Sequence, residues 1–453
     1  MKAIVIGASV AGLAAAQVLA KHCSEVTVVE PDRLPTSSQT RPSTPQDKHL
    51  HFLLKGGEKV LGELFPGLID EMLESGAIKA DVGKDYIWSA QSDWRPRIPL
   101  GYQVLQQTRP QLEYLMRRYV MRDDSITFLE GSRVVDYLIS SDGGEIEAVT
   151  IRSRDQKETY DLAADLVVDA SGRGSRTPKL LEKLGYGTVP SLNIGVGVGY
   201  ASRTYKLKPG NSFDWLGLVI SPTGPQRPTG AAILPVEDGQ WIVNTYGYAG
   251  NYPGGSEAEF LQFIEAVNCP PSMTSTIMEA ISQMEPVSGV SRFTFGGSLR
   301  RMYEKMPRLP AGLFVIGDAF CSPNPTFGQG MTVALLEANE LDKVLARCAP
   351  EAKDILTQEY FSAATKAFET PWRLVRQGDE KYLEEPLEKT VQEGFLSWFY
   401  DEIRMAAAED TDVMRKYLRV TQLIDAESEL MDPEIMSSVV KRNLTRFLSS
   451  SSP

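Results

Sequence analysis

The sequence predicts an α/β fold: a Rossmann-like parallel sheet assembled from separated stretches of chain, an inserted antiparallel-sheet domain and a C-terminal helical region. Three observations predict it. A short apolar strand runs through a glycine turn into a small-residue helix at the start of the chain. A second strand, turn and helix of the same kind recur near residue 320. Between them lies a long stretch whose apolar residues alternate with period two.

Composition narrows the class. A chain of 453 residues is long enough for two or three domains around a sizeable core. Charged residues at 23% and hydrophobic ones at 42% are ordinary for a soluble globular protein. The net charge of −12 speaks against a nucleic-acid partner and against anionic membrane surfaces, which both prefer basic patches. No apolar run reaches the ~18 residues that a transmembrane segment needs. The opening MKAIVIG lacks the parts of a signal peptide, and Cys23, Cys269, Cys321 and Cys348 form no CxxC pair. A reducing, cytoplasmic location is therefore expected. The oligomeric state is left open.

The elements follow in order. Residues 3–6, AIVI, form a buried strand that enters Gly7-Ala8-Ser9-Val10-Ala11-Gly12, a GxGxxG pattern with Ser9 in the middle position. Gly7 permits the tight turn, and small residues at Ser9 and Ala11 let a pyrophosphate approach the backbone. Gly12 lets the helix LAAAQVLAKH pack on the strand, and the helix N-terminus offers free N–H groups. The next strand, EVTVVE, ends in Glu30, an acceptor for ribose hydroxyls. This order of parts predicts a dinucleotide site.

The loop TSSQTRPSTPQDKHLH carries Arg41, His49 and His51. Two histidines with no cysteine or acid partner make a poor metal site, so no metal is expected, and one of them is expected beside the ligand or at a helix start. With three histidines in all, Ser-His-Asp and zinc hydrolase chemistries are disfavoured. Thr108-Arg109-Pro110-Gln111 reads as a capping box that opens a helix burying Leu112, Leu115, Met116 and Tyr119. ADLVVDASGRGSRTPKLLEKLG (164–185) reads as strand, turn and helix, with Asp169 at the strand end.

Residues 190–247 alternate as an antiparallel sheet with a hairpin turn at Asp238-Gly239. Gly195, Gly197 and Gly199 mimic a nucleotide turn, but no helix follows them. These small residues are expected to leave one sheet face open to a bulky ligand. Ser256 and Glu259 cap a helix beside this sheet.

The stretch GDAFCSPNPTFGQGMT (317–332) supplies the second turn. Asp318 ends the strand LFVIGD, Pro323 and Pro325 stiffen the loop, and Gly328, Gln329, Gly330 and Met331 present backbone N–H groups at the start of the helix MTVALLEANELDKVLA. NAD needs one phosphate-facing turn of this kind, whereas FAD is long enough to use two. The cofactor expected is therefore FAD. From about residue 350 the chain is helical and charged, with Trp372, Trp398, Phe399 and Tyr400 expected to pack against the body.

These motifs resemble those of flavoprotein monooxygenases with the para-hydroxybenzoate hydroxylase fold. Gly7-x-Ser9-x-x-Gly12 resembles their first fingerprint. Asp169-Ala-Ser-Gly-Arg-Gly-Ser-Arg176 resembles the second with alanine in place of a glycine, and Gly317-Asp318 resembles the third. HLHFLLKGGEKVLGELFPGL (49–68), QTRPQLEYLMRR (107–118), WIVNTYGYAGNYP (241–253) and residues 300–325 are similar to the squalene-epoxidase-like and polyether-epoxidase branch.

The resemblance implies an FAD-binding domain in three parts (1–80, 106–185, 298–349), substrate-domain strands at 81–105, a substrate domain at 186–297 and the helical region at 350–453. It implies Arg41 near the flavin, Arg109 on its diphosphate or adenosine side, and Pro323 and Pro325 shaping the oxygen side. The activity implied is oxygen transfer from a C4a-hydroperoxyflavin, using O2 and transiently bound NADPH or NADH, to an alkene of an apolar terpenoid or polyene-like small molecule. Aromatic hydroxylation and flavin-dependent reduction of a prenyl chain are the alternatives.

Overall fold

The computed structural model describes residues 1–89, 93–154, 158–385 and 387–450. Its centre is a five-stranded parallel sheet in the spatial order Leu313–Val315, Leu166–Asp169, Lys2–Ile6, Glu25–Glu30, Ile126–Glu130. Ala3, Ile4, Val5 and Val26, Val28, Val29 are all buried, so these strands are covered on both faces, as parallel strands require. The helix Val10–Ala20 covers one face with Leu13, Ala14, Ala15 and Ala16, and the helix Gly330–Arg347 lies beside it. The topology brings the start of the chain and the stretch near 317 together: a Cβ on Gly317 would lie 2.8 Å from the Cβ of Ala11.

The second layer is a mainly antiparallel sheet in the order Met284–Pro286, Val198–Leu207, Gln240–Tyr248, Thr229–Val236, Gly217–Ile220, Tyr86–Trp88, with Ser291–Phe295 also on Val198–Leu207. The hairpin between Thr229–Val236 and Gln240–Tyr248 turns through Asp238 and Gly239, both with positive φ (59° and 65°), the geometry that sequence position asks for. Ser256 and Glu259 form a reciprocal capping box.

Three local expectations change. The sheet face above Gly197 and Gly199 is not open, because Tyr252 fills it: a Cβ on Gly199 would lie 2.5 Å from the Tyr252 ring. Small residues at period two serve here to seat an aromatic ring. The cap at Thr108 is half of a box. Its side chain accepts from Gln111 N–H, but Gln111 turns to the carbonyl of Ser75, and Glu237 takes the Thr108 N–H at 2.9 Å. Trp372, Phe399 and Tyr400 are buried, whereas Trp398 is 47% exposed, because it lies on the outer side of the helix Val391–Ala406.

The helices Lys353–Asp379, Val391–Ala406, Thr411–Thr421 and Pro433–Ser450 complete the molecule. They dock back onto the body. Gly56 N–H donates to the Gln422 carbonyl at 2.9 Å and Lys55 N–H to the Gln422 side chain at 3.0 Å. Among the described residues no helix is long and apolar enough to cross a membrane, and all four cysteines are free thiols.

Candidate active site

One cavity of about 1020 Å³ runs between the two sheets. That is at the top of the ~300–1,000 Å³ common for small-molecule sites. Of the residues singled out in the sequence, Gly7, Ser9, Ala11, Glu30, Arg41, Arg109, Asp318, Pro323, Pro325, Gly328, Gln329, Gly330 and Met331 all line it. Gly12 does not. It stands behind the wall, where a Cβ would fall 1.9 Å from the Gly7 carbonyl oxygen. Its part is to let helix and strand touch.

At one end the Gly7 turn, with φ +104°, passes so close to the Leu166–Asp169 strand that a Cβ would meet the Ala170 carbonyl oxygen at 2.7 Å. Beyond it the first-turn N–H groups of the Val10–Ala20 helix have no acceptor within the helix. The helix Gly330–Arg347 offers a second such end. Neither helix carries an acidic residue in its first turn; the carboxylates nearest these ends, Glu113 on the Ser9 hydroxyl and Asp318 beside Gly330, come from other elements.

A buried charge network closes the Glu30 end. Glu30 accepts from Ala8 N–H (2.8 Å), Asp32 N–H (2.9 Å) and Arg41 (3.0 Å). A carboxylate has about four lone-pair positions, so one remains for a ligand hydroxyl. Arg41 also binds Glu113 at 2.7 Å, Glu113 accepts from the Ser9 hydroxyl at 2.8 Å, and Arg109 donates to that hydroxyl at 2.7 Å. Burial works against the charge on Arg41, but Glu113 and Glu30 overcome it and raise its pKa. Burial likewise acts to raise Glu113, and Arg109 and Arg41 together hold it down. The sequence reading missed Glu113. The available signal was its position four residues after Arg109 on a helix.

Asp169, read as the end of a strand, is the organiser of its own turn. Its two oxygens accept from Ser171 N–H at 2.9 Å and from the hydroxyls of Ser171, Ser175 and Thr177. Asp318 faces the cavity lumen deep in the molecule, where burial raises its pKa against the pull of Arg109 and Arg173. Pro325–Phe327 form a single 3-10 turn, ended by Gly328 at φ +66° and held by Asn324, which accepts from Thr326 N–H at 3.0 Å. Gln329 is buried on the wall with its Oε1 unpartnered, a position for a ligand donor.

Toward the antiparallel sheet the wall becomes aromatic and apolar. His49 is buried there, edge-on to the Tyr200 ring at 4.7 Å. The Ser202 hydroxyl donates to Asn244 Oδ1 at 2.7 Å, so its oxygen accepts from His49 Nδ1 at 2.9 Å. That assigns the proton of the neutral ring to Nδ1 and leaves Nε2 as a buried, unpartnered acceptor on the cavity wall. Burial, with Lys48 nearby, lowers the His49 pKa to about 4, so the ring is neutral at ordinary pH. His51 lines the same wall and is tied by Nδ1 to the His49 carbonyl at 3.0 Å. Ser202 and Asn244 are register partners on neighbouring strands, a proximity that no sequence spacing discloses.

Comparison with known proteins bears on what this cavity holds. Residues 3–177 match the family described as FAD dependent oxidoreductase. Protein Rv3254 of Mycobacterium tuberculosis is 30% identical over 466 residues, spanning 98% of this chain and 94% of its own length. The chain belongs to the FAD-dependent oxidoreductase family. Its fold recurs in the flavin-dependent brominase Bmp2 (14% identity, 100% of both chains, TM-score 0.65). It recurs also in p-nitrophenol 4-monooxygenase PnpA of Pseudomonas putida DLL-E4 (14% identity, 94% of this chain and 98% of that one, TM-score 0.59).

The residues present fit the family's cofactor. The Gly7 cradle tolerates no side chain, the two helix N-termini open on one lumen without acids of their own, Glu30 keeps one lone pair and Gln329 keeps an unpartnered oxygen. An FAD-dependent oxidoreductase needs acceptors for a ribose and donors for phosphates and a ring, and these are the groups in place.

Proposed function

We propose that the chain is an FAD-dependent monooxygenase that uses O2 and NADPH or NADH to place one oxygen atom on an alkene of an apolar, terpenoid or polyene-like small molecule. The overall change is alkene, O2, NAD(P)H and a proton to epoxide, water and NAD(P)+. Bound and reduced, FAD supplies the activation of O2. The observation that supports the reading is the continuity of one cavity from Glu30 and Ser9, past Asp318 and Gln329, to the apolar wall of the antiparallel sheet. The epoxidase branch rests on the sequence resemblance.

The chain's residues then divide the work. Gly7, Ser9 and Ala11 would hold the pyrophosphate with the first-turn N–H groups behind them, Arg109 would neutralise it, and Glu30 would take the ribose hydroxyl with its remaining lone pair. Arg41 would act through Glu30 and Glu113, holding both carboxylates in place. Asp318 would orient the ribitol or diphosphate, and the N–H groups of Gly328, Gln329, Gly330 and Met331 would face the ring. Pro323 and Pro325 would shape the oxygen side. The apolar wall excludes water, which prevents loss of activated oxygen as peroxide.

A specific observation favours aromatic hydroxylation as the second reading. His49 Nε2 is an unpartnered acceptor on the wall and can accept a hydrogen bond from a phenolic hydroxyl, which an alkene does not carry. Product analysis under heavy-isotope dioxygen with NADPH tests both readings. One heavy oxygen in an epoxide supports the first, and one in a phenol ring supports the second. Reduced product without oxygen uptake would leave only a reductase. For a phenol substrate, His49→Ala should raise KM about tenfold through the loss of one buried hydrogen bond. For an alkene it should change KM by less than about threefold, since the substrate offers no donor.

A further inference from the structure

The end of the cavity away from the cofactor turns is walled by Trp88, Val219, Leu234, Leu374 and Leu418, an apolar lining drawn from the antiparallel sheet and the C-terminal helices. Two arginines interrupt it. Arg95 follows the Tyr86–Trp88 strand, to which its N–H is fixed by the Trp88 carbonyl at 2.8 Å. Its guanidinium lies over the Trp88 ring, 5.4 Å from the centroid, with Nε at 3.4 Å from the Ser89 carbonyl oxygen and Nη1 buried without a hydrogen-bond partner among the described residues. Arg404 comes from the helix Val391–Ala406. Its Nε is also buried and unpartnered, 3.7 Å from Asp401, too far for a hydrogen bond. Asp401 is engaged by Lys381.

The charge count at this end is uneven. Among the described residues Arg95, Arg404 and Lys381 meet one carboxylate on this wall, Asp401; the other acids of the wall, Glu30, Asp169 and Asp318, belong to the cofactor end. Burial lowers the pKa of Arg95; the Tyr417 hydroxyl acts against this, and Arg404 is near enough to add to the lowering. Two like charges facing one partly apolar lumen, each with an unmatched donor, cost free energy that a bound anion offsets. A guanidinium fork suits a planar carboxylate.

We propose that Arg95 and Arg404 anchor a carboxylate at the far end of the substrate, so that the substrate is an apolar chain or ring system carrying one terminal acid. This rests on the monooxygenase reading for which end of the molecule reacts. The carboxylate sets the depth of insertion and therefore which carbon lies toward the Asp318 and Gln329 end. It also turns an otherwise non-directional apolar fit into one with a single orientation.

The test uses the FAD-loaded full chain and two fluorescent probes, cis-parinaric acid, a polyene carboxylate, and its methyl ester, titrated at low salt. The wild type should bind the acid about tenfold or more tightly than the ester. In Arg95→Gln and Arg404→Gln the preference should shrink below about threefold, chiefly through the acid, with ester affinity kept as the internal check on folding. Arg95→Lys and Arg404→Lys should retain part of the preference. Equal binding of acid and ester by the wild type, binding of neither, or a preference that survives in both glutamine variants would overturn the proposal. Flavin content and NADPH-driven oxygen uptake are read on the same preparations. Their absence beside an intact acid preference would sink the monooxygenase reading and leave the anchor standing.

Discussion

Gly12 shows how a residue can be indispensable to a ligand site without touching the cavity. A Cβ there would lie 1.9 Å from the Gly7 carbonyl oxygen and 2.8 Å from its carbonyl carbon, both backbone atoms that cannot swing aside. Gly12→Ala should therefore destabilise the fold by about 3 kcal/mol or more, measured by denaturant unfolding, and should weaken FAD retention through the displaced helix. The neighbouring Ala11→Ser, which adds one hydroxyl at a half-buried position on the wall, should leave the unfolding midpoint within about 0.5 kcal/mol. At this scale the site was largely legible. Gly7 and Gly12 have roles set by backbone geometry, which spacing encodes directly. Glu113 was half legible, since helix periodicity places it over Arg109, but its bonds to Ser9 and Arg41 span 104 and 72 residues of sequence. Of His49 and His51 the sequence showed only that one was expected beside the ligand or at a helix start. The tautomer of His49 depends on Ser202 and Asn244, and so on strand register.

Among the elements, the turn at Pro325–Phe327 is held from outside its own segment. Asn324, which caps it, donates to Asp379 at 2.6 Å, and Ser298 donates to the same carboxyl group at 2.7 Å. Asp379 ends the long helix Lys353–Asp379, and next to it Tyr382 stacks on Tyr248 at 4.2 Å. The C-terminal helices thus fix the loop proposed to face the flavin ring. Burial raises the Asp379 pKa to about 6, against the hydrogen bonds from Ser298 and Asn324. A carboxyl whose pKa is higher folded than unfolded binds its proton more tightly in the folded state. Its contribution to stability is complete below about pH 4 and is lost as pH rises through about 6, a change of about 3 kcal/mol. Asp379→Asn should remove that part of the pH dependence. The difference in unfolding free energy between wild type and variant should vary over this window and be flat above it. A constant difference from pH 4 to 7 would contradict the assignment. The coupling through Asp379 was not legible in the sequence, which placed the C-terminal region as helical and expected its aromatic residues to pack against the body without showing where. The sheet face at Gly197 and Gly199 was misjudged for a similar reason. Small residues announce that something approaches closely, but not that it is Tyr252.

Across the whole molecule, two stretches separated by about 310 residues meet because the parallel sheet places Leu313–Val315, Leu166–Asp169 and Lys2–Ile6 side by side. The fold class followed from the two strand–turn–helix stretches and the alternating insertion. The seating of the C-terminal helices against the cavity did not, because amphipathic helices declare a buried face but not its partner. The central claim is that one long ligand is held at both of its own ends within this cavity, its adenosine end at Glu30 and its ring end at Gly328–Met331. Titration of the flavin-free protein with FAD and with FMN, read by quenching of flavin fluorescence, tests it most directly. One FAD should bind per chain, with FMN weaker by about a hundredfold or more because it forfeits every contact at the first turn. FMN binding as tight as FAD, or no binding of either flavin, would contradict it.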